Sequence, residues 1–170
     1  MQPKYFSVST RKFIVMTVFT FGLYLYYWLY RQFCHERATI LPGSRPAWRT
    51  VFFVFYCYGL FKRIGAAFAN ELPGKPLAAG ALAAGFIVCS VLACLDDSTT
   101  FFVYISLFFA VPVQSRINKG NDAIAPDRDR NEDYSGWNLA AIAAGVLVYV
   151  FAFAVVAGAL QPVLSPLAGG

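Results

Sequence analysis

Long uncharged runs separated by short charged stretches divide the chain. Uncharged residues fill positions 13–30, 76–95, 98–115 and 134–170 without interruption. A helix rises about 1.5 Å per residue and the hydrocarbon core of a bilayer is about 30 Å thick, so apolar runs of about 17–25 residues are candidate spans. The pattern predicts an all-α, polytopic helical membrane protein.

A further apolar segment is too short to cross a bilayer unaided. Residues 50–61 contain only 12 uncharged positions, or about 18 Å of helix. This segment would span only if Arg49, Lys62 and Arg63 extended their charges outward at its ends. The fold therefore has three to five spans, and the first two apolar segments are either full spans or half-inserted hairpins.

The composition agrees with a membrane protein. The chain is 58% apolar and 14% charged, whereas soluble domains are about 45–50% apolar and about 25% charged. This excludes a disordered chain, a disulfide scaffold and a nucleic-acid-binding domain. We expect one helical membrane domain over residues 1–170, with apolar segments at about 13–30, 50–69, 77–95, 100–117 and 137–161 and a polar cytoplasmic loop at 118–136.

The charges predict the orientation. Ten of the 14 Lys and Arg residues lie in the first 75 residues, whereas the connection Asp96-Asp97-Ser98-Thr99 has none. The positive-inside rule places this connection outside and the N-terminus, 62–76 and 116–136 in the cytoplasm. Five full spans would leave the arginine-rich loop 31–49 outside. Half-inserted hairpins keep every basic residue inside, which favours them.

The chain lacks recognisable catalytic and metal-binding motifs. Its only histidine lies in Cys34-His35-Glu36, and its four cysteines form no C-x-x-C pair, although zinc sites need about four converging ligands. The motifs of serine hydrolases, zinc proteases and P-loop proteins are also missing. We therefore expect a non-enzymatic protein without a metal or cofactor, with an intramembrane enzyme as a third interpretation.

Hydroxyl groups recur on one face of the first segment if it is one helix. The hydroxyl-bearing positions are Thr17, Thr20, Tyr24 and Tyr27, and Arg31 lies on the same face. They predict either the polar lining of a small oligomeric transporter or channel, or hydroxyls that bond backbone carbonyls and neighbouring helices.

Small residues recur at every fourth position of the third segment. They are Ala81, Gly85, Cys89 and Ala93. Because small residues let helix backbones approach closely, this pattern predicts helix packing, within the chain by default or between copies.

An amphipathic stretch at 60–72 carries Lys62 and Arg63 on its polar side. The pattern predicts an interfacial helix attracted to anionic lipid, or a charged helix end that only fixes topology.

Three amides, Gln114, Asn118 and Asn121, lie at i, i+4 and i+7. They predict a contact with a lipid headgroup, a partner's backbone or a polar solute. The alternative is an ordinary helix end at Gly120.

Two short stretches echo one another, Phe21-Gly22-Leu23-Tyr24 and Tyr58-Gly59-Leu60-Phe61. A half-inserted hairpin needs a bend, and these glycines are the expected bends.

The chain also carries an ordered series of motifs. These are Phe6-Ser7-Val8-Ser9, Lys12-Phe13-Ile14-Val15-Met16, Thr20-Phe21-Gly22-Leu23-Tyr24, Tyr27-Trp28-x-Tyr30, Pro46-x-x-Arg49 and Gln114-x-x-x-Asn118-x-x-Asn121. Over residues 6–125 the series resembles a family of small bacterial inner-membrane proteins of unassigned function. The resemblance implies a bacterial inner membrane and no particular reaction.

Together these observations predict an accessory or interaction component of the inner membrane that binds lipid or a membrane-protein partner. The alternative is a small transporter or channel component built as a homo-oligomer. No nucleic-acid partner is expected.

Overall fold

The computed structural model describes residues 3–74, 76–95 and 101–164, with side chains up to residue 158. These residues form helices and no strand, which confirms the all-α prediction. The helices are α1 (Thr10–Phe19), α2 (Leu23–Thr39), α3 (Pro46–Val51), α4 (Phe53–Ala67), α5 (Ala79–Leu92), α6 (Phe102–Ile124) and α7 (Gly136–Leu164). The acidic connection at Asp96 and Asp97 falls outside the described residues.

The chain divides into two compact units, residues 1–133 and 134–170. The first unit holds α1 to α6, and α7 forms the second. The sequence suggested one domain over the whole chain.

One described helix is long and apolar enough to cross a membrane. It is the stretch Gly136–Gly158 of α7, judged by length and composition alone, and its large apolar side chains are mostly exposed. Helix α5 is also apolar but has only 14 residues, or about 21 Å, which is short of the roughly 30 Å core.

The first apolar segment is not one helix. It breaks between α1 and α2, where Phe21 and Gly22 adopt positive φ angles of 52° and 85°. A Cβ atom on Gly22 would overlap the side chain of Val103 in α6. Glycine is therefore suited to this turn both by its backbone conformation and by the close approach of α6.

The bend expected at Gly59 is wrong, because Gly59 lies inside the continuous helix α4. The chain breaks before α4 instead, at Phe52. A glycine inside a helix costs only about 1 kcal/mol relative to alanine, so it marks no bend by itself.

Helix α4 buries a regular apolar stripe. Its members are Phe53, Cys57, Leu60, Phe61 and Ile64, which follow the 3.6-residue period. The apolar side of the 60–72 stretch is thus packed within the first unit instead of resting on lipid. Lys62 lies on the opposite, exposed side.

Helices α5 and α6 pack closely at Gly85, the smallest residue of the series Ala81, Gly85, Cys89 and Ala93. A Cβ atom on Gly85 would overlap the ring of Phe109, and Cys89 is also buried. Ala81 is exposed, and Ala93 lies just beyond the last residue of α5.

Helix α6 continues to Ile124, into the stretch predicted to be a loop from residue 118. Gly120 lies inside this helix, so the interpretation of a helix end there is wrong. A Cβ atom on Gly120 would overlap the ring of Phe68, which shows why the smallest residue stands at this crossing.

Candidate functional site

The chain preceding α1, residues 3–9, is neither helix nor strand and is mostly buried within the first unit. Tyr5 is 1% exposed and Val8 is fully buried. Buried peptide groups need hydrogen-bond partners, and this segment has no neighbouring strand among the described residues to supply them. Amide side chains of α2 and α6 supply them instead.

Gln32 of α2 and Asn121 of α6 both hydrogen-bond the backbone of this segment. Gln32 Oε1 accepts a hydrogen bond from the Phe6 N–H at 3.1 Å, and its Nε2 donates to the Phe6 carbonyl oxygen at 3.1 Å. Asn121 Oδ1 accepts from the Lys4 N–H at 3.0 Å, and its Nδ2 donates to the Tyr5 carbonyl oxygen at 2.8 Å. Both amides therefore use their acceptor and donor ends on main-chain groups.

Two further amides of α6 converge on one carbonyl group. Gln114 Nε2 and Asn118 Nδ2 donate to the Val8 carbonyl oxygen at 3.0 and 2.9 Å. Gln114 Oε1 accepts from Trp28 Nε1 at 2.6 Å. We call Gln32, Gln114, Asn118 and Asn121 the amide clamp.

The spacing of Gln114, Asn118 and Asn121 thus brings three amides onto the chain's own N-terminal backbone. A contact of these residues with lipid or a partner stays a prediction. Sequence reasoning missed Gln32, which lies one turn after Trp28 on the buried stripe of α2. That position on the stripe was the available signal.

The expected hydroxyl stripe does not form one continuous helical face, because the chain turns between Thr20 and Tyr24. Thr17 and Thr20 donate to the carbonyl oxygens of the residues four positions earlier, at 2.8 and 2.7 Å. Tyr27 is exposed, and the Arg31 guanidinium lies 4.7 Å from the ring centroid of Phe6.

A buried carboxylate joins α2 to α3 and α4. Glu36 is 0% exposed. It accepts hydrogen bonds from Arg49 Nη1 at 2.8 Å, from Arg63 Nε at 2.6 Å and from Arg63 Nη2 at 3.0 Å. Both carboxylate oxygens are thus paired, which offsets the cost of burying the charge. We call Glu36, Arg49 and Arg63 the charge cluster.

Aromatic rings fix the Arg49 guanidinium further. It lies 4.4 Å from the ring centroid of Phe33 and 5.1 Å from that of Tyr56. A guanidinium over an aromatic face is attracted by the ring quadrupole, so Arg49 is held by one charge and two rings.

The structure places the other residues considered for metal or lipid binding, Cys34, His35, Lys62 and Arg63, in different surroundings. Cys34 and His35 are only half-buried, and no group of three potential metal-ligating side chains occurs among the described residues. Lys62 stays exposed, whereas its neighbour Arg63 belongs to the charge cluster. One feature of the sequence indicates that Glu36 is buried: it lies two helical turns after Trp28, on the same face of α2.

The N-terminal segment also approaches the charge cluster. Burial, and secondly the charge of Glu36, raise the pKa of the Tyr5 phenol, whose hydroxyl has no hydrogen-bond partner within the described structure. At the start of the segment, the hydrogen bond from Lys4 Nζ to Glu71 Oε1, 3.0 Å long, lowers the pKa of that carboxyl.

An open cleft lies beside the charge cluster, with a volume of about 520 Å³. Polar and aromatic side chains on its wall are Ser44, Arg45, Trp48, Arg49, Tyr56 and Arg63. Arg45 is exposed and forms no ion pair within the described structure. Glu36 is paired with Arg49 and Arg63, and Arg45 has no acidic partner among the described residues, so the cleft carries a net positive charge. We call it the arginine cleft.

A second hollow, of about 450 Å³, adjoins the cleft at Arg45. Its other lining residues are Tyr30, Cys34, Arg37, Pro46 and Ala47. Arg37 is exposed and likewise makes no ion pair among the residues that the structure describes. We call it the Arg37 hollow.

Known proteins give no direct guide to this site. Comparison of the chain with protein-family models, with curated proteins and with solved structures finds no match. The resemblance to small bacterial inner-membrane proteins stays a prediction. What the site can bind must therefore be argued from its own side chains.

Replacing Asn121 by alanine tests the amide clamp. The Lys4 N–H and the Tyr5 carbonyl oxygen would lose their partner, and each unsatisfied buried group costs about 1–3 kcal/mol. We expect N121A to lower the free energy of unfolding in detergent by about 2–4 kcal/mol. Hydrogen exchange of the amides at residues 4–6 should also accelerate. K119A, an exposed change on the same helix, should alter neither quantity, and equal effects of both variants would contradict the clamp.

Removing Arg49 tests the charge cluster. R49M leaves the buried Glu36 short of one partner, which we expect to destabilise the protein by about 3 kcal/mol. Adding E36Q removes the charge and should restore part of the loss. R45M, at an exposed arginine without an ion pair, should cost less than about 0.5 kcal/mol.

The coupling of R49M and E36Q is measured by a double-mutant cycle on unfolding free energies. Strictly additive effects of the two substitutions would show that Glu36 and Arg49 do not interact.

Proposed function

We propose that this protein is a non-enzymatic, multi-pass component of a bacterial inner membrane that binds the phosphate group of an anionic lipid. The supporting observation is the arginine cleft, where three arginines converge and one buried carboxylate orients two of them. Guanidinium groups suit phosphate because they present planar pairs of N–H donors to its oxygens.

The charge cluster leaves donors available to a ligand. Arg63 uses Nε and Nη2 on Glu36, and Arg49 uses Nη1. Nη1 of Arg63 and the two remaining nitrogens of Arg49 are therefore not committed to Glu36. Arg45 adds a whole guanidinium without an ion pair in the described structure. A phosphate in the cleft would meet donors already held in place, which reduces the entropy lost on binding.

Apolar side chains around the cleft favour a lipid over free phosphate. Trp48 lines the cleft and is largely exposed, and on the same pair of helices Val51 is 70% exposed and Phe55 78%. Large exposed apolar residues beside basic ones are typical of surfaces that meet a membrane. The acyl chains of a lipid would cover these residues while its headgroup occupies the cleft.

Membrane insertion is supported by α7, and half-insertion of the first segment is supported by the break at Gly22. Helix α1 has 10 residues, or about 15 Å, which is half of the hydrocarbon core. A helix that stops midway favours half-insertion of the first segment, and this arrangement keeps the arginines on the cytoplasmic side, as the positive-inside rule requires.

Lipid selectivity tests the proposal. Protein purified in detergent should retain short-chain phosphatidylglycerol in preference to phosphatidylcholine, as measured by native mass spectrometry and by Trp48 fluorescence, obtained as the signal of W137F minus that of W48F/W137F. We expect R45Q to weaken phosphatidylglycerol binding about tenfold, because it removes charge-assisted hydrogen bonds without breaking an ion pair.

The controls separate the lipid from its phosphate. R11Q, an equal change of charge at an exposed arginine of α1, should leave binding unchanged. Glycerol 3-phosphate should bind far more weakly because it lacks acyl chains. Equal retention of the two lipids, or an equal loss in R11Q, would overturn the proposal. Glycerol phosphate binding as tightly as the lipid would overturn the choice of a membrane ligand.

Topology is tested at Gly43, an exposed position beside the arginine cleft with open space around its Cα. In a chain whose four cysteines are replaced by alanine, we expect G43C to resist a membrane-impermeant thiol reagent in intact cells and to react in inverted membrane vesicles. K119C should behave in the same way. Rapid labelling of G43C in intact cells would place the cleft outside and contradict the half-inserted arrangement.

A further inference from the structure

We infer that the lipid bound at this site carries two phosphate groups in one headgroup. The inference rests on the proposed function and deepens it. Its basis is that the arginine cleft and the Arg37 hollow adjoin at one shared side chain, Arg45. Each of the two spaces falls in the range of about 300–1,000 Å³ that is typical of ligand pockets.

The charge of the two spaces exceeds what one phosphodiester can neutralise. Four arginines line them, and Glu36 is the one acid in contact with these arginines in the described structure. The four arginines and Glu36 together carry a net charge of +3, and Arg37 and Arg45 have no acidic partner in the described structure, whereas a lipid with a single phosphodiester brings one negative charge. A headgroup with two phosphates balances the site better and keeps its guanidinium donors paired.

The charges are also spread in a way that suits two groups. Arg49 and Arg63 face the arginine cleft, and Arg37 faces the Arg37 hollow. Arg45, which directly precedes α3, lines both spaces. It can therefore contact ligand groups in each of them. One phosphate would bind between Arg45 and the charge cluster, and the other between Arg45 and Arg37.

A buried hydroxyl supports a polar linker at the junction. Ser44 lines the arginine cleft, directly precedes Arg45, and has a buried Oγ without a hydrogen-bond partner among the described residues. A buried polar atom of this kind calls for a partner. A hydroxyl or phosphate oxygen of the headgroup could supply it.

The experiment compares cardiolipin, which has two phosphates joined by glycerol, with phosphatidylglycerol at equal total phosphate. Full-length protein in mixed micelles is titrated with each lipid, and retention is measured by native mass spectrometry. We expect cardiolipin to bind at least tenfold more tightly per phosphate, because one headgroup engages both spaces.

Arg37 provides the decisive variant. R37Q changes an exposed residue without an ion pair in the described structure, and it lies outside the arginine cleft. We expect it to abolish the preference for cardiolipin and to leave phosphatidylglycerol binding unchanged, whereas R11Q should change neither.

The failures of the two proposals differ. Equal binding of the two lipids per phosphate, or a cardiolipin preference that survives R37Q, overturns the two-phosphate inference while Arg45-dependent phosphatidylglycerol binding still stands. Failure to bind either lipid overturns both proposals.

Discussion

The first unit depends on hydrogen bonding the backbone of its buried N-terminal segment. A helix satisfies its own peptide groups, but a segment without regular secondary structure cannot. The amide clamp meets this need with side chains whose donors and acceptors match those of the main chain. Since each clamp residue must face the segment, the rotation and register of α2 and α6 are fixed by it. The crossing of α6 at Gly120 follows from the same register.

The same helix that holds the segment also orients the arginines. Gln32 and Glu36 lie one turn apart on α2, so the amide that bonds Phe6 and the carboxylate that pairs with Arg49 share one buried face. A shift of α2 along its axis would break both sets of bonds. The geometry of the arginine cleft is therefore linked to the N-terminal segment through a single helix.

Features of the fold and the site are predictable from the sequence when the residues that interact lie close together along the chain. The all-α class and the apolar helix α7 depend on local hydropathy, and the sequence predicts both. The break at Gly22 lies inside a uniformly apolar run, where the close approach of α6 decides it. The spacing of Gln114, Asn118 and Asn121 marks a shared face, but their partners lie more than 100 residues away. Glu36 pairs with arginines 13 and 27 residues later, which no local pattern predicts.

The buried charge of Glu36 is better explained by orientation than by stability. Replacing a buried ion pair with apolar side chains is often neutral or stabilising by about 1–4 kcal/mol, so the charge cluster is weak evidence for a stability role. Its geometry is specific, however, because the carboxylate holds Arg63 through two nitrogens and Arg49 through one. An apolar replacement would preserve the packing and lose the guanidinium groups that face the cleft. A carboxylate that organises two arginines beside an unpaired third would preorganise the donors that the proposed phosphate ligand needs.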